Sequence, residues 1–194
     1  MTAEGAIRVG VGGWDFDPWR EAFYPPKLSK KRQLEHAAGR LTAVEVNATY
    51  YKLQKPESFE AWAKAVPDGF KFAVKASRFC TNRKKLGEGQ EGMKRFFEQG
   101  IVALGDRLGP ILWQFMATKR FEPDDFRAFL ELLPRDWEGV ALSHVVEPRH
   151  ESFRCAEFVA MARAAGVAIA FADSDEFPCI PDLSGDVVYA RLQR

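Results

Sequence analysis

The chain has 194 residues, of which 46% are hydrophobic and 28% charged, values of a folded globular protein that exclude a disordered, collagen-like or mucin-like chain. Its 28 basic and 27 acidic residues leave a formal charge of +1. That balance excludes a uniformly basic nucleic-acid coat while leaving room for a local basic patch.

The start, Met1-Thr2-Ala3-Glu4-Gly5, leads into a short apolar run with no signal-peptide core. No apolar stretch approaches the roughly 18 residues of a membrane span. Cys80, Cys155 and Cys179 are odd in number and far apart, and read as free thiols of a reducing compartment. The expectation is a cytoplasmic protein without a membrane partner.

Residues 7–12 form the first β-rich run, and 27–38 the first segment of helical period. Residues 41–46 read as a strand. A helix over 57–65 follows, opened by Pro56-Glu57 and stopped before Pro67. After a strand at 70–75, residues 92–108 read as one helix carrying Phe96, Phe97, Ile101, Leu104 and Leu108 on one face. A strand at 111–114 precedes a helix over 123–133, whose Pro-Asp-Asp start suits a helix N-terminus. Residues 140–146 read as a strand, and 154–165 as a helix closed by Gly166. Strands at 167–171 and 187–192 are separated by a long loop over 174–186.

Alternating strands and helices predict a parallel sheet covered by helices. Seven strands without a GxGxxG after the first favour a TIM-barrel-like (β/α) barrel over a dinucleotide-binding open sheet. A complete barrel takes about 250 residues. The expectation is therefore a single α/β barrel domain over residues 1–194 that lacks the last βα unit: either the chain is a fragment, or the barrel stays open, or a partner, a second copy among the candidates, covers the exposed edge.

In this architecture reactive groups gather where strands end at their C-terminal side. Those positions hold Trp14 after the first strand, then Glu45, Asn47 and Tyr51 at the second. Lys75 and Arg78 follow the third strand and Gln114 ends the fourth. Glu147, Arg149 and His150 follow the fifth, Asp173 the sixth, and Arg191 sits in the seventh. A charge inside an apolar strand, such as Glu45 between Val44 and Val46, is costly unless it is paired or functional.

Several segments together resemble a known family. They are Gly12-Gly13-Trp14 with Trp19, Phe23-Tyr24-Pro25, Val44-Glu45-Val46-Asn47 with Tyr50-Tyr51, and Phe70 through Lys75. Leu112 to Gln114, Glu147-Pro148-Arg149-His150-Glu151-Ser152-Phe153 and Tyr189-Ala190-Arg191-Leu192 complete the series. The chain resembles the YecE-like proteins, domain-of-unknown-function family 72, in order and over nearly its whole length. The resemblance implies a TIM-barrel-like fold and brings no established activity. Family members usually continue past Tyr-x-Arg-Leu, whereas Gln193-Arg194 end this chain; Phe153 stands where the family has Trp, and Phe115-Met116 where it has Pro-Pro.

Among chemistries, a multi-zinc centre lacks ligands, because His36, His144 and His150 lie in different elements. A single Mg²⁺ on Glu45, Glu147 and Asp173 is conceivable but not favoured. Cys80, with no His near it in sequence, reads as an ordinary thiol despite Arg78. Acid/base work is the better enzymatic reading, with Glu45 and Glu147 as a carboxylate pair and His150 as proton shuttle or orienter.

Trp14, Asn47, Tyr51, Lys75, Arg78, Gln114, Arg149, Asp173 and Arg191 would then bind the ligand. Basic runs at Lys30-Lys31-Arg32 and Arg83-Lys84-Lys85 would attract phosphates on the same rim. The leading expectation is an anion-binding barrel, taking a phosphorylated or nucleic-acid-like ligand, with hydrolytic chemistry. The alternatives are a non-catalytic nucleic-acid-binding module, a glycoside-type hydrolase, and a barrel whose polar cluster is only structural.

Overall fold

The structure is a computed structural model that describes residues 5–193; the leader reading of residues 1–4 lies outside the described residues. In chain order, β1 (Gly10–Gly12) is followed by α1 (Gln33–Ala38), β2 (Ala43–Val46), α2 (Ala48–Tyr51) and α3 (Pro56–Lys64). Next come β3 (Lys71–Lys75), α4 (Arg78–Thr81), α5 (Gln90–Glu98), β4 (Leu108–Gln114) and α6 (Pro123–Glu131). The remainder is β5 (Asp136–Trp137), β6 (Val140–Ala141), β7 (His144–Glu147), α7 (Ala156–Ala164), β8 (Ala168–Asp173) and β9 (Tyr189–Leu192).

Seven of these strands form one sheet in the order β1-β2-β3-β4-β7-β8-β9, and every pairing in it is parallel. The order never reverses, so the sheet winds in one direction and curls through 273° into an open, incomplete barrel. Among the described residues β1 pairs only with β2 and β9 only with β8. Exposed Ile7, Val9, Val188 and Leu192 lie along or beside those two edges.

Strand alternation divides the apolar residues between two cores. The larger lies between sheet and helices, where Val44, Val46, Phe72, Val74, Ile111, Trp113, Val146 and Ile169 meet Phe59, Phe96, Phe97, Phe129 and Phe158. The smaller fills the barrel interior with Leu112, Val145, Ala168 and Ala170, against which Tyr189 packs. At the C-terminal ends of the strands the same parity delivers Glu45, Lys75, Gln114, Glu147 and Arg191.

Three departures from the sequence reading have local causes. Residues 140–146 are not one strand: Val140–Ala141 pairs antiparallel with Asp136–Trp137 across Glu138-Gly139, whose φ values of 50° and 78° make a hairpin turn. Only His144–Glu147 enters the barrel.

Residues 92–108 are not one helix. α5 ends before Gly100, at φ 94°, and the chain resumes as 3-10 turns over Ile101–Arg107. The apolar spacing ran through the break because Phe96, Phe97, Ile101 and Leu104 still face one core.

β4 begins at Leu108, ahead of the expected 111, and its pairing with β3 shifts by a residue between Phe72 and Val74. Gly109 sits where a Cβ would stand 2.9 Å from the Phe72 carbonyl oxygen, and Pro110 offers no N–H. Both suit a bulge. The bulge sets the parity that turns Leu112 and Gln114 inward.

His144 faces the helix side, accepting from the Trp113 indole N–H at 3.1 Å and donating to the Pro134 carbonyl at 2.7 Å. Burial pushes its pKa down, so it is a neutral core histidine.

Two outcomes follow. Gly100→Ala places a left-handed Cβ within 2.9–3.1 Å of Pro56 and lowers stability by about 1–3 kcal/mol in urea denaturation. As pH falls below the ordinary His value, the unfolded chain takes up a proton that folded His144 refuses. The urea midpoint therefore declines below about pH 6.5, and His144→Asn flattens that slope.

Candidate functional site

Arg191 is the centre of the barrel mouth. From edge strand β9 it donates through Nε and Nη2 to the two oxygens of Glu45 on β2, each at 3.1 Å. Its Nη1 donates to both oxygens of Glu147 on β7, at 2.8 and 3.0 Å. Glu147 is fully buried and also accepts from Gln114 Nε2 at 2.9 Å and Arg149 Nε at 3.1 Å. Glu45 also accepts from the Tyr189 hydroxyl at 2.7 Å. Two buried carboxylates would be prohibitively costly alone, and the forked guanidinium offsets much of that cost by charge-assisted hydrogen bonds to both.

The electrostatics of the two donors fit this arrangement. Burial opposes the charge on Arg191, but Glu147 and Glu45 outweigh it and hold its pKa above the usual value. Burial, with the charge and acceptance of Glu45, pushes the Tyr189 hydroxyl far up. It therefore remains a donor.

Lys75, 8% exposed at the end of β3, is different. Its ammonium lies 4.4 Å from the centroid of the Tyr50 ring. It makes no ion pair among the described residues, since Arg191 and Arg149 occupy the two nearby carboxylates. Burial lowers its pKa; Glu45 and Glu147 oppose that shift, and the charges of Arg191 and Arg149 add to it.

Arg149 turns a single N–H, Nε, to Glu147. Its guanidinium carbon, Cζ, lies 4.2 Å from the centroid of the Phe177 ring, in the loop between β8 and β9. Tyr50 is itself tied to Asn82, whose Nδ2 donates to its hydroxyl at 3.1 Å. Two aromatic rings thus lie against the two cations that the carboxylates leave least neutralised.

Of the residues singled out from sequence, Glu45, Lys75, Gln114, Glu147, Arg149 and Arg191 come together. Asn47 stands beside them, its Nδ2 3.0 Å from where a Gly12 Cβ would lie. The others are placed elsewhere. His150 accepts from the Ser152 backbone N–H at 3.1 Å and caps the turn Glu151–Phe153. Trp14 packs on Trp62 and Phe72. Tyr51 is 65% exposed against Tyr50, and Arg78 lies over Phe79 at the surface. Asp173 falls in alternation with Ile169 and Phe171 on the outer face of β8.

Tyr189 and Phe177 were not selected from sequence. Tyr189 carries a signal, its i−2 spacing from Arg191, whereas Phe177 reaches Arg149 only through the path of its loop. Phe153, at the family's Trp position, packs against Phe115, Phe121, Phe126 and Phe158 behind the sheet and does not reach the mouth.

Among the described residues no three of His, Cys, Asp and Glu are grouped to hold a metal ion. The Glu45–Glu147–Asp173 set is not assembled, because Arg191 lies between the first two and Asp173 faces the other way. Cys80 is buried, and desolvation pushes its thiol up to about 12. No helix of the described residues is long and apolar enough to cross a membrane.

The basic runs are largely answered locally. Lys30 pairs with Asp15 at 2.9 Å, Arg32 with Glu35 at 3.2 Å and Lys85 with Glu88 at 3.6 Å, all exposed. Buried Lys119 and partly buried Asp125, 2.6 Å apart, hold the 82–89 loop instead: Asp125 accepts from the Leu86 and Gly87 N–H groups and Lys119 donates to the Lys84 carbonyl.

Residues 8–194 match the family described as "Protein of unknown function DUF72". The chain belongs to the DUF72 family. It is 30% identical over 150 residues to the UPF0759 protein YecE of Escherichia coli K12, covering 76% of this chain and 50% of that protein. It is 29% identical over 115 residues to the UPF0759 protein YunF of Bacillus subtilis, covering 56% of this chain and 39% of that protein. The chain thus spans half or less of the length of these curated relatives. A DUF72 crystal structure from Thermotoga maritima superposes with a TM-score of 0.75 at 26% identity, over 94% of this chain and 72% of that one. One from Enterococcus faecalis gives 0.73 at 20% identity, over 93% and 67%, and attests the fold alone.

Replacing Arg191 by Met leaves Glu45 and Glu147 buried without their shared cation. The expected loss is about 3–5 kcal/mol of stability by urea denaturation, with part of it recovered when Glu147→Gln is added. A loss below about 1 kcal/mol, the level of an exposed pair, would show that the bridge is not a buried one.

Proposed function

We propose that this DUF72 chain binds a small anionic ligand at the barrel mouth, held by Lys75 and Arg149. The observation that carries this reading is the uneven pairing of the mouth. Three cations, Lys75, Arg149 and Arg191, meet two carboxylates there, and Arg191 bonds both. A phosphate or carboxylate would supply the acceptor that Lys75 lacks and bond the outer N–H groups of Arg149.

Glu45 and Glu147 then position cations and need not transfer protons. Each accepts from Arg191 and from at least one further donor. A general acid requires a removable proton, so this bonding favours anion binding over glycoside-type or other hydrolytic acid/base chemistry. The local pairing of Lys30, Arg32 and Lys85 likewise supports a compact ligand over a nucleic-acid strand laid along the rim.

Thermal denaturation with inorganic phosphate, a sugar phosphate and a neutral oligosaccharide tests the proposal. Saturating phosphate or sugar phosphate raises stability by about 2.7 kcal/mol at a hundredfold excess over Kd. The gain shrinks with salt and disappears in Lys75→Met and Arg149→Ala, and the neutral sugar gives none. An unchanged melting temperature with every anion, or a shift that persists in both variants, overturns it.

A further inference from the structure

We propose that the Lys75 amine is a nucleophile that condenses with the carbonyl group of a small oxo compound, whose anionic group Arg149 holds. This rests on the anion-site reading above and adds the reaction that the same site performs.

Lys75 is set apart by how its neighbours are already engaged. It lies at the strand end where a barrel positions reacting groups, and it is almost wholly buried. Glu45 and Glu147, the acids that would normally fix it as an ammonium, are bridged by Arg191. Its Nζ rests against the Tyr50 ring, with no acceptor among the described residues. Its own backbone carbonyl is pinned by the Thr49 hydroxyl at 2.7 Å, which fixes the base of the side chain. Burial lowers its pKa and the like charges of Arg191 and Arg149 add to that, against the pull of Glu45 and Glu147, so the amine gives up its proton more readily than an exposed lysine. A desolvated amine beside other cations is the environment that activates a lysine toward carbonyls.

The step balances without an oxidant or reductant. After the ammonium gives one proton to water, the nitrogen lone pair bonds the carbonyl carbon and the C–O π pair moves to oxygen. The nitrogen passes a proton to that oxygen, and the resulting hydroxyl leaves as water with a second proton taken back from solvent. The nitrogen lone pair closes the C=N bond. Overall, ammonium and carbonyl give a protonated imine and one water. Arg149 binds the carboxylate or phosphate of the substrate, and Tyr50 lies over the reacting nitrogen.

Borohydride trapping decides the matter on the intact chain. The protein is incubated at neutral pH with pyruvate, dihydroxyacetone phosphate or uncharged acetone, reduced, digested and mapped by peptide mass spectrometry. Lys75 in the native protein should carry several-fold more label than any other lysine. Label from pyruvate alone identifies a carboxylate substrate and label from dihydroxyacetone phosphate a phosphorylated one; either upholds the proposal when acetone labels far less. Arg149→Ala should lower the charged-probe label toward the acetone level.

Label spread evenly over surface lysines while phosphate still protects the fold overturns the amine role and leaves the anion site standing. No selective label and no phosphate effect overturns both. Because the wild-type chain supplies the site-resolved readout, the result does not depend on a Lys75 variant folding.

Discussion

One guanidinium, shared between two buried carboxylates, governs the mouth of this barrel. The sheet curls through 273° without closing, so β9 and β2 are not hydrogen-bonded neighbours. Arg191 nevertheless bonds Glu45 across the opening and Glu147 within the sheet. Backbone hydrogen bonds hold adjacent strands, and this side-chain bridge holds the far edge to the near side. Buried, fully bonded charge of this kind contributes geometry more than net stability, because desolvation consumes most of the Coulombic gain.

The chemistry of the mouth follows from that bridge. Once Arg191 has both carboxylates, Lys75 has no acid to pair with, and Arg149 spends one N–H on Glu147. The rings of Tyr50 and Phe177 lie against these two cations. Aromatic faces attract cations without neutralising them, so the rings do not cancel the charges of Lys75 and Arg149. The loop between β8 and β9, which brings Phe177 to Arg149, therefore belongs to the mouth as much as the strands do.

Behind the sheet the structure is an aromatic core that isolates the site from the helices. Phe115, Phe121, Phe126, Phe153 and Phe158 contact one another there, and His144 joins Trp113 as a neutral hydrogen-bonding core residue. The loop of residues 82–89 is fastened from the same side by Lys119 and Asp125. Burial opposes the charge of Asp125, but Lys119 and the two N–H donors outweigh it and hold the carboxyl below its ordinary value. That contribution is full at neutral pH and fades as acid protonates the carboxylate.

The sequence by itself determined the (β/α) order, the parallel sheet and the strand ends at which Glu45, Lys75, Gln114, Glu147 and Arg191 stand. Each is encoded locally, by apolar period, by Pro and Gly punctuation, and by a polar residue interrupting an apolar run. Residues 92–108 and 140–146 were misread because a helix broken at Gly100 and a strand preceded by a hairpin keep the same apolar spacing.

Only the tertiary structure decided how the charges pair. Arg191 lies 146 residues from Glu45 and 44 from Glu147, and no local pattern states which acid an arginine will meet. The curl of the sheet makes that choice. In making it, the fold gives both carboxylates to Arg191 and leaves Lys75 without an ion-pair partner among the described residues.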